Sequence, residues 1–304
     1  IVIEIRIIDL KTMIYFSILI KFIVTLINLC AGEFSTISNH STDIGWNFKH
    51  VFGLIIGLML GYFCFGRFKN DTSITHISIY SLIIKIPTML EYFSYVFHFQ
   101  ALMAGPVIFY RDYIDFIHGR NIGGTKTLTP SPTPVVIKKV IISLLFAALF
   151  VTFIPSYSIQ KLKEENFLEN TTLFYKMWFL LITAMLARFK YYHAWIFADA
   201  ICNNSGLGFN KYDKNGEAKW DLYSNVDVRG FEMALTLRDS IEHWNKGTNR
   251  WLRSIVYERA KYNKLVFTYS LSALWHGFYP GYYITFANGA FFTIVARTVI
   301  RVLQ

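Results

Sequence analysis

Residues 265–304 read LVFTYSLSALWHGFYPGYYITFANGAFFTIVARTVIRVLQ. The run is apolar almost throughout and pauses at Tyr279-Pro280-Gly281. It is long enough for two membrane-crossing helices of about 20 residues each, with His276 inside the first. The whole chain has the same character. Of its 304 residues 54% are hydrophobic and only 16% are charged, and the mean hydropathy is +0.36. Soluble domains carry about 25% charge. Aromatic residues reach 18%, including 28 Phe and 19 Tyr, which suits a helical bundle buried in lipid with Tyr and Trp at its two interfaces.

Working back from that stretch, residues 228–260 place Phe231, Leu235, Trp244, Trp251 and Leu252 among Glu232, Arg238, Asp239, Arg250, Arg253, Glu258 and Arg259. That helical spacing predicts one or two amphipathic helices, in the interfacial plane or against the bundle. Before them runs a polar loop, 203–227, with Gly206, Gly208 and the turn signal Asp213-Lys214-Asn215-Gly216. The segment 171–202 reads as a span whose later half is too polar for lipid, with Arg188, Lys190, His193 and Asp199; that half is expected to line protein or a wet cavity. A further span is predicted over 140–154, ending at Pro155. Residues 121–134, rich in Gly, Pro, Ser and Thr, read as a connection outside the hydrocarbon.

Earlier still, 110–120 is polar on one side, and 74–107 is apolar but broken by Pro87 and Gly105-Pro106. Residues 51–65 predict a span with Gly53, Gly57 and Gly61 at every fourth position, and 13–31 another, interrupted by Lys21. The sequence thus predicts one all-α membrane domain over 1–304. Because it opens on Ile1 and ends in an unfinished apolar run, further helices are expected at both ends. No internal repeat of the kind that marks many transporters is visible.

The net charge of +10 is dispersed between apolar runs, which argues against a nucleic-acid surface. It fits anionic headgroups and the positive-inside bias of cytoplasmic loops. Cys30, Cys64 and Cys202 form no disulfide framework and no zinc pattern. Gly206-Leu207-Gly208 lacks the later glycine of a dinucleotide loop. Asp213-Lys214-Asn215-Gly216 has its glycine at the wrong offset for calcium. A serine-hydrolase elbow is missing. What remains is His276 in Ser272-Ala273-Leu274-Trp275-His276-Gly277, and His243-Trp244-Asn245 upstream. On position alone such a histidine is more often a hydrogen-bonded core residue, and Asn245, followed by Lys246-Gly247, reads as the end of a helix. Yet an imidazole in the membrane is costly and points to function, since in its neutral form it can take a proton from an attacking hydroxyl.

Glu242-His243-Trp244-Asn245 followed by Ser272–Gly277 resembles the paired Asn and His signatures of the membrane-bound O-acyltransferase family. Leu90–Tyr95, Ala104-Gly105-Pro106, Tyr110–Ile117, Ala187–Tyr192, Gly206–Phe209, Trp220-Asp221-Leu222 and Trp275–Tyr283 resemble its lysophospholipid branch, nearest to members acting on lysophosphatidylserine and lysophosphatidylethanolamine. The resemblance runs from about Leu90 onward.

It implies a multispanning helical bundle around an internal reaction chamber, in the endoplasmic reticulum membrane. The co-substrates would be acyl-CoA and a lysophospholipid, with no cofactor and no metal. His276 would be the general base. Asn245 would orient the acceptor or His276, or donate to the developing oxyanion. Trp244 and Trp275 are candidate substrate contacts. Arg188, Lys190 and Lys211 are candidates for CoA phosphates or the headgroup, each also readable as a positive-inside anchor. The same chemistry on a sterol, diacylglycerol or protein acceptor is the nearest rival, and a non-enzymatic transporter the more distant one.

Overall fold

The computed structural model describes residues 50–51, 54–55, 87–98, 100, 106–121 and 131–303. The span expected over 13–31 and its Lys21 lie outside them, as do Gly53, Gly57 and Gly61 of the next.

Ten α-helices are described: α1 Met89–Val96, α2 Tyr110–Ile117, α3 Thr133–Phe153, α4 Glu165–Asn170, α5 Leu173–Asn204, α6 Val228–Glu232, α7 Leu237–His243, α8 Lys246–Leu252, α9 Lys264–Trp275 and α10 Pro280–Leu303. A two-residue antiparallel hairpin, β1 Lys211–Tyr212 with β2 Ala218–Lys219, sits in the loop after α5. Asp213 forms its turn, its carboxylate accepting the N–H groups of Asn215 and Glu217.

Among these elements, α3 and the Pro280–Val302 portion of α10 are long and apolar enough to cross a membrane. Pro134 stands in the first turn of α3, where its missing N–H costs nothing, and Pro155 closes the helix. The helix therefore starts seven residues before the predicted Val140 and takes in the end of the predicted loop. α5 runs for 32 residues, about 48 Å at the standard rise. Its first half leaves Leu173, Phe174, Met177, Trp178 and Leu181 exposed. Its second half buries Tyr192, Ala198, Asp199, Cys202 and Asn203, as the change in polarity along the segment predicts.

α3 and α5 pack antiparallel. Partners on α5 fall in number as those on α3 rise: Lys139 meets Asp199, Ser143 meets His193, and Phe146 meets Phe189. The Lys139 ammonium donates to Asp199 Oδ2 at 2.6 Å, to the Trp220 carbonyl at 2.8 Å and to Ser224 Oγ at 3.3 Å. Ser224 in turn donates to Asp199 at 2.6 Å. One buried ion pair thereby holds two helices and the loop 220–224.

Gly206 and Gly208 belong to this packing. Gly206 turns the chain out of α5 with φ +88°, and a Cβ on Gly208 would lie 1.9 Å from Asn203 Oδ1. Beside them α1, α2 and the end of α5 share a core of Tyr95, Tyr110, Tyr113, Ile117, Cys202, Leu207 and Tyr223. Tyr223 donates to Asp112 of α2 at 3.0 Å, and burial raises that carboxyl above its ordinary value.

Two expectations are corrected. The segment 228–260 folds as three short helices and a π-helical turn, Arg253–Tyr257, rather than one or two helices. Side-chain caps cut it: Asp227 accepts the Gly230 N–H at 3.0 Å and Thr236 accepts that of Asp239 at 3.1 Å. His276 also does not lie inside a spanning helix. α9 has 12 residues, about 18 Å, short of the roughly 30 Å hydrocarbon core. Gly277, with φ +97°, stops it, so that His276 is its C-terminal cap.

Lys139→Met alone should strand the buried Asp199 carboxylate and destabilise the fold by about 3–5 kcal/mol, whereas Lys139→Met with Asp199→Leu should recover most of the loss. Thermal unfolding in detergent reads the difference, and equal melting of the single and double variants would show that the pair does not clamp the helices.

Candidate active site

The site is assembled from the ends of short helices. Trp244 closes α7 and Asn245 opens α8 in the left-handed region, φ 48° and ψ 48°, a conformation that Asn tolerates better than most side chains. Asn245 therefore starts a helix as well as following one. Gly247 is not a terminal glycine but sits inside α8, buried against Asn225. Asn245 Oδ1 accepts from Asn225 Nδ2 at 3.1 Å.

Trp244 lies in an aromatic cluster. Its ring centroid is 4.8 Å from Trp195, 4.9 Å from Phe231, 5.8 Å from Tyr191 and 5.9 Å from Tyr192. Arg188 forks onto Glu232 at 2.9 and 2.7 Å and lies over Phe231. Tyr192 donates to the same carboxylate at 2.6 Å. Lys190 lies over the Tyr191 ring at 5.0 Å. Lys211 stands elsewhere, on the exposed hairpin opposite Lys219.

His276 is half-buried, its ring 4.9 Å from Trp275, 5.4 Å from Tyr282 and 4.9 Å from Phe286. Its neighbour Trp275 makes one link toward the helix that Asn245 opens, meeting Trp251 of that helix at 6.0 Å. Both Trp251 and Trp275 bury their indole N–H groups with no acceptor among the described residues. Buried donors of that kind ask for an oxygen.

His243, in the same segment, donates from Nδ1 to the Asp239 carbonyl at 2.7 Å and turns Nε2 toward Asp227 Oδ2 at 3.6 Å. It lines an open cavity of about 460 Å³ with Arg229, Gly230, Met233 and Leu235. Sequence reading did not single out Asn225, Trp251 or Tyr282, which contact Asn245, Trp275 and His276 respectively. Tyr282 and Trp251 stand in motifs or periodic runs already noted, but nothing at Asn225 sets it apart from other loop residues.

Fold and candidate site together describe a helical protein with membrane-length apolar helices, an imidazole at one helix end and a carboxamide at another, each beside aromatic rings. The chain belongs to the MBOAT, membrane-bound O-acyltransferase family, whose pattern it matches over residues 10–304. It is 49% identical over 254 residues, 79% of this chain and 35% of the relative, to lysophospholipid acyltransferase 6 of Drosophila melanogaster. It is 38% identical over 250 residues, 77% of this chain and 47% of the relative, to the human membrane-bound glycerophospholipid O-acyltransferase 2. With the lysophospholipid acyltransferase of Schizosaccharomyces pombe it shares 35% identity over 225 residues, 70% of this chain and 44% of the relative. The aligned part spans between about a third and a half of these proteins.

A Cβ on Gly230 would lie 2.3 Å from His243 Cδ2 and 2.7 Å from Asp227 Oδ2. Gly230→Ala should therefore push the His243 ring aside and disturb Trp244 next to it. The expected readout is a shifted tryptophan emission maximum with a lowered Tm, and an unchanged spectrum would show that the segment has room to give.

Proposed function

We propose that the protein is an acyl-CoA-dependent lysophospholipid O-acyltransferase of the endoplasmic reticulum membrane, working in a chamber within a multispanning bundle. The observation that carries the reading is His276, an imidazole at the end of an apolar helix, connected through Trp275 and Trp251 to the helix that Asn245 opens. Membership of an O-acyltransferase family supplies the reaction class.

In this reading His276 takes the proton of the lysolipid hydroxyl, and the oxygen attacks the thioester carbonyl directly. The C–S bond breaks as the tetrahedral species collapses, and the CoA thiolate leaves and takes up a proton. Aromatic walls around both residues hold thioester and hydroxyl together and keep competing water out. Trp244 and Trp275 line the path of the substrates. Lys190 and Lys211 are proposed to meet phosphate groups. Arg188, with two N–H groups committed to Glu232, positions the wall. The acceptor is a lysophospholipid with an amine-bearing headgroup, which the likeness of the Leu90–Tyr95, Tyr110–Ile117 and Trp275–Tyr283 segments to the serine- and ethanolamine-lysolipid branch supports.

His276→Ala should lower acyl transfer by about 10²–10⁴ while leaving membrane insertion intact; purified variant that keeps more than about a tenth of the wild-type rate removes the imidazole from the chemistry. Asn245→Asp should be as defective as Asn245→Ala, because a carboxylate has no N–H to donate. Full activity of the Asp variant would mean that only an acceptor is needed there.

The Cys30, Cys64 and Cys202 to Ser triple variant should stay active, since Cys202 is fully buried against α1 and α2 and no acyl-enzyme is required. A labelled acyl group trapped on one of these sulfurs, at a rate that keeps pace with turnover, would overturn direct transfer. Given one acyl-CoA and equal concentrations of several lysolipids, cholesterol and diacylglycerol, the full-length protein should acylate lysolipids and prefer those with an amine. Product confined to cholesterol or diacylglycerol would sink the lysolipid reading, and preference for lysophosphatidylcholine or lysophosphatidylinositol only the headgroup.

A further inference from the structure

Asn225 lies outside the motifs that carry the resemblance, in the loop between the hairpin and α6. Its residue is 4% exposed, and its polar groups are committed to the segment 245–247. The backbone carbonyl accepts the Lys246 N–H at 2.8 Å. Oδ1 accepts the Gly247 N–H at 2.7 Å. Nδ2 donates to Asn245 Oδ1 at 3.1 Å. Gly247 leaves the room for this, since a Cβ there would stand 3.0 Å from Asn225 Oδ1.

These bonds have a single polarity. A main-chain N–H can only donate, so Gly247 decides which end of the Asn225 amide is the oxygen. The NH2 end of Asn225 must then face Asn245, and Asn245 must answer with its own oxygen. What Asn245 has left is its NH2. The geometry points to Asn225 as the positioning residue that sets the flip of the Asn245 amide, so that position 245 presents a hydrogen-bond donor to the reacting groups. This deepens the acyltransferase reading and rests on it. Of the roles open to Asn245, it selects those in which the amide donates: to the developing oxyanion, to an acceptor oxygen or to the imidazole.

The relay reaches further back. Ser224, next to Asn225, is bonded to Asp199, and the Trp220 carbonyl is bonded to Lys139 and to Asn203 Nδ2. The loop that carries Asn225 is thus fixed to α3 and α5 before it touches Asn245.

Asn225→Asp tests the polarity. It keeps an oxygen for Gly247 and nearly the same volume, but offers position 245 only acceptors, so the Asn245 amide should turn to donate to the introduced carboxylate and show its oxygen to the site. In full-length protein purified in detergent, N225D should lower kcat by about 10- to 100-fold, less than deleting a donor aimed at developing charge, with KM for both substrates moved by no more than about threefold. Asn225→Ala, which lets the amide rotate, should lose less than N225D. A purely structural asparagine would give the opposite order, because Asp is the closer replacement.

In an Asn245→Ala background neither change should lower kcat further, whereas a structural role would lower both backgrounds by the same factor. That equal loss, the reversed order, or wild-type kcat in N225D overturns the proposal; should N225D fail to purify, N225A compared in the two backgrounds decides between the same alternatives. Wild-type protein that transfers an acyl group to none of the acceptors, lysolipid, sterol or diacylglycerol, would sink the acyltransferase reading and this one with it. An active wild type with a silent Asn225 sinks this one alone.

Discussion

The Lys139–Asp199 pair is the contact on which the other placements depend. Each partner comes from a long and largely apolar helix, where an unpaired charge is expensive, so the two helices have one register in which both are satisfied. The pair is completed from outside by the Trp220 carbonyl and the Ser224 hydroxyl. A polar loop that would otherwise have many conformations is drawn onto the helix pair at a defined point. The residue following that point is Asn225, and the chain of bonds from Asn225 to Asn245 inherits the rigidity.

Apolar contacts do the corresponding work on the His276 side. Aromatic rings wall the imidazole, with Trp275, Tyr282 and Phe286 within about one ring's width. Polar fixing for the amide and aromatic walls for the imidazole suit the separate tasks proposed for them. An amide must keep one orientation, whereas a base that accepts and releases a proton gains from surroundings that hold its ring without fixing its charge.

Much of this is legible from residue order. The change of polarity midway through 171–202 locates the buried half of α5, because the cost of charge in lipid is local and shows in composition. Gly206 and Gly208 mark the loop after α5 by residue type alone, and His276 and Asn245 stand out by type and by family likeness. Depth and pairing are not legible. Lys139 and Asp199 are 60 positions apart, and neither carries a mark of the other. Asn225 looks like any loop asparagine, since its significance lies in which end of its amide meets Gly247. The helix end at His276 is hidden for a different reason: the visible break at Tyr279-Pro280-Gly281 suggests a boundary a few residues too late, while Gly277 makes the turn first.

The shortness of α9 sets a depth. In the proposed arrangement Lys264 and the charged residues before it lie with water and headgroups, and the helix then descends at most about 18 Å over its twelve residues, a little beyond the middle of a hydrocarbon layer of about 30 Å. So placed, it would act as a ruler hung from one membrane surface with an imidazole at its tip. A substrate that reached that tip from the same surface would have to lower its reactive atom by that distance, and one from the opposite surface by the remainder. One added turn would move the tip by about 5.4 Å, roughly four methylenes of an acyl chain. The proposed function thus ties helix length to lipid geometry through the position of one glycine, Gly277.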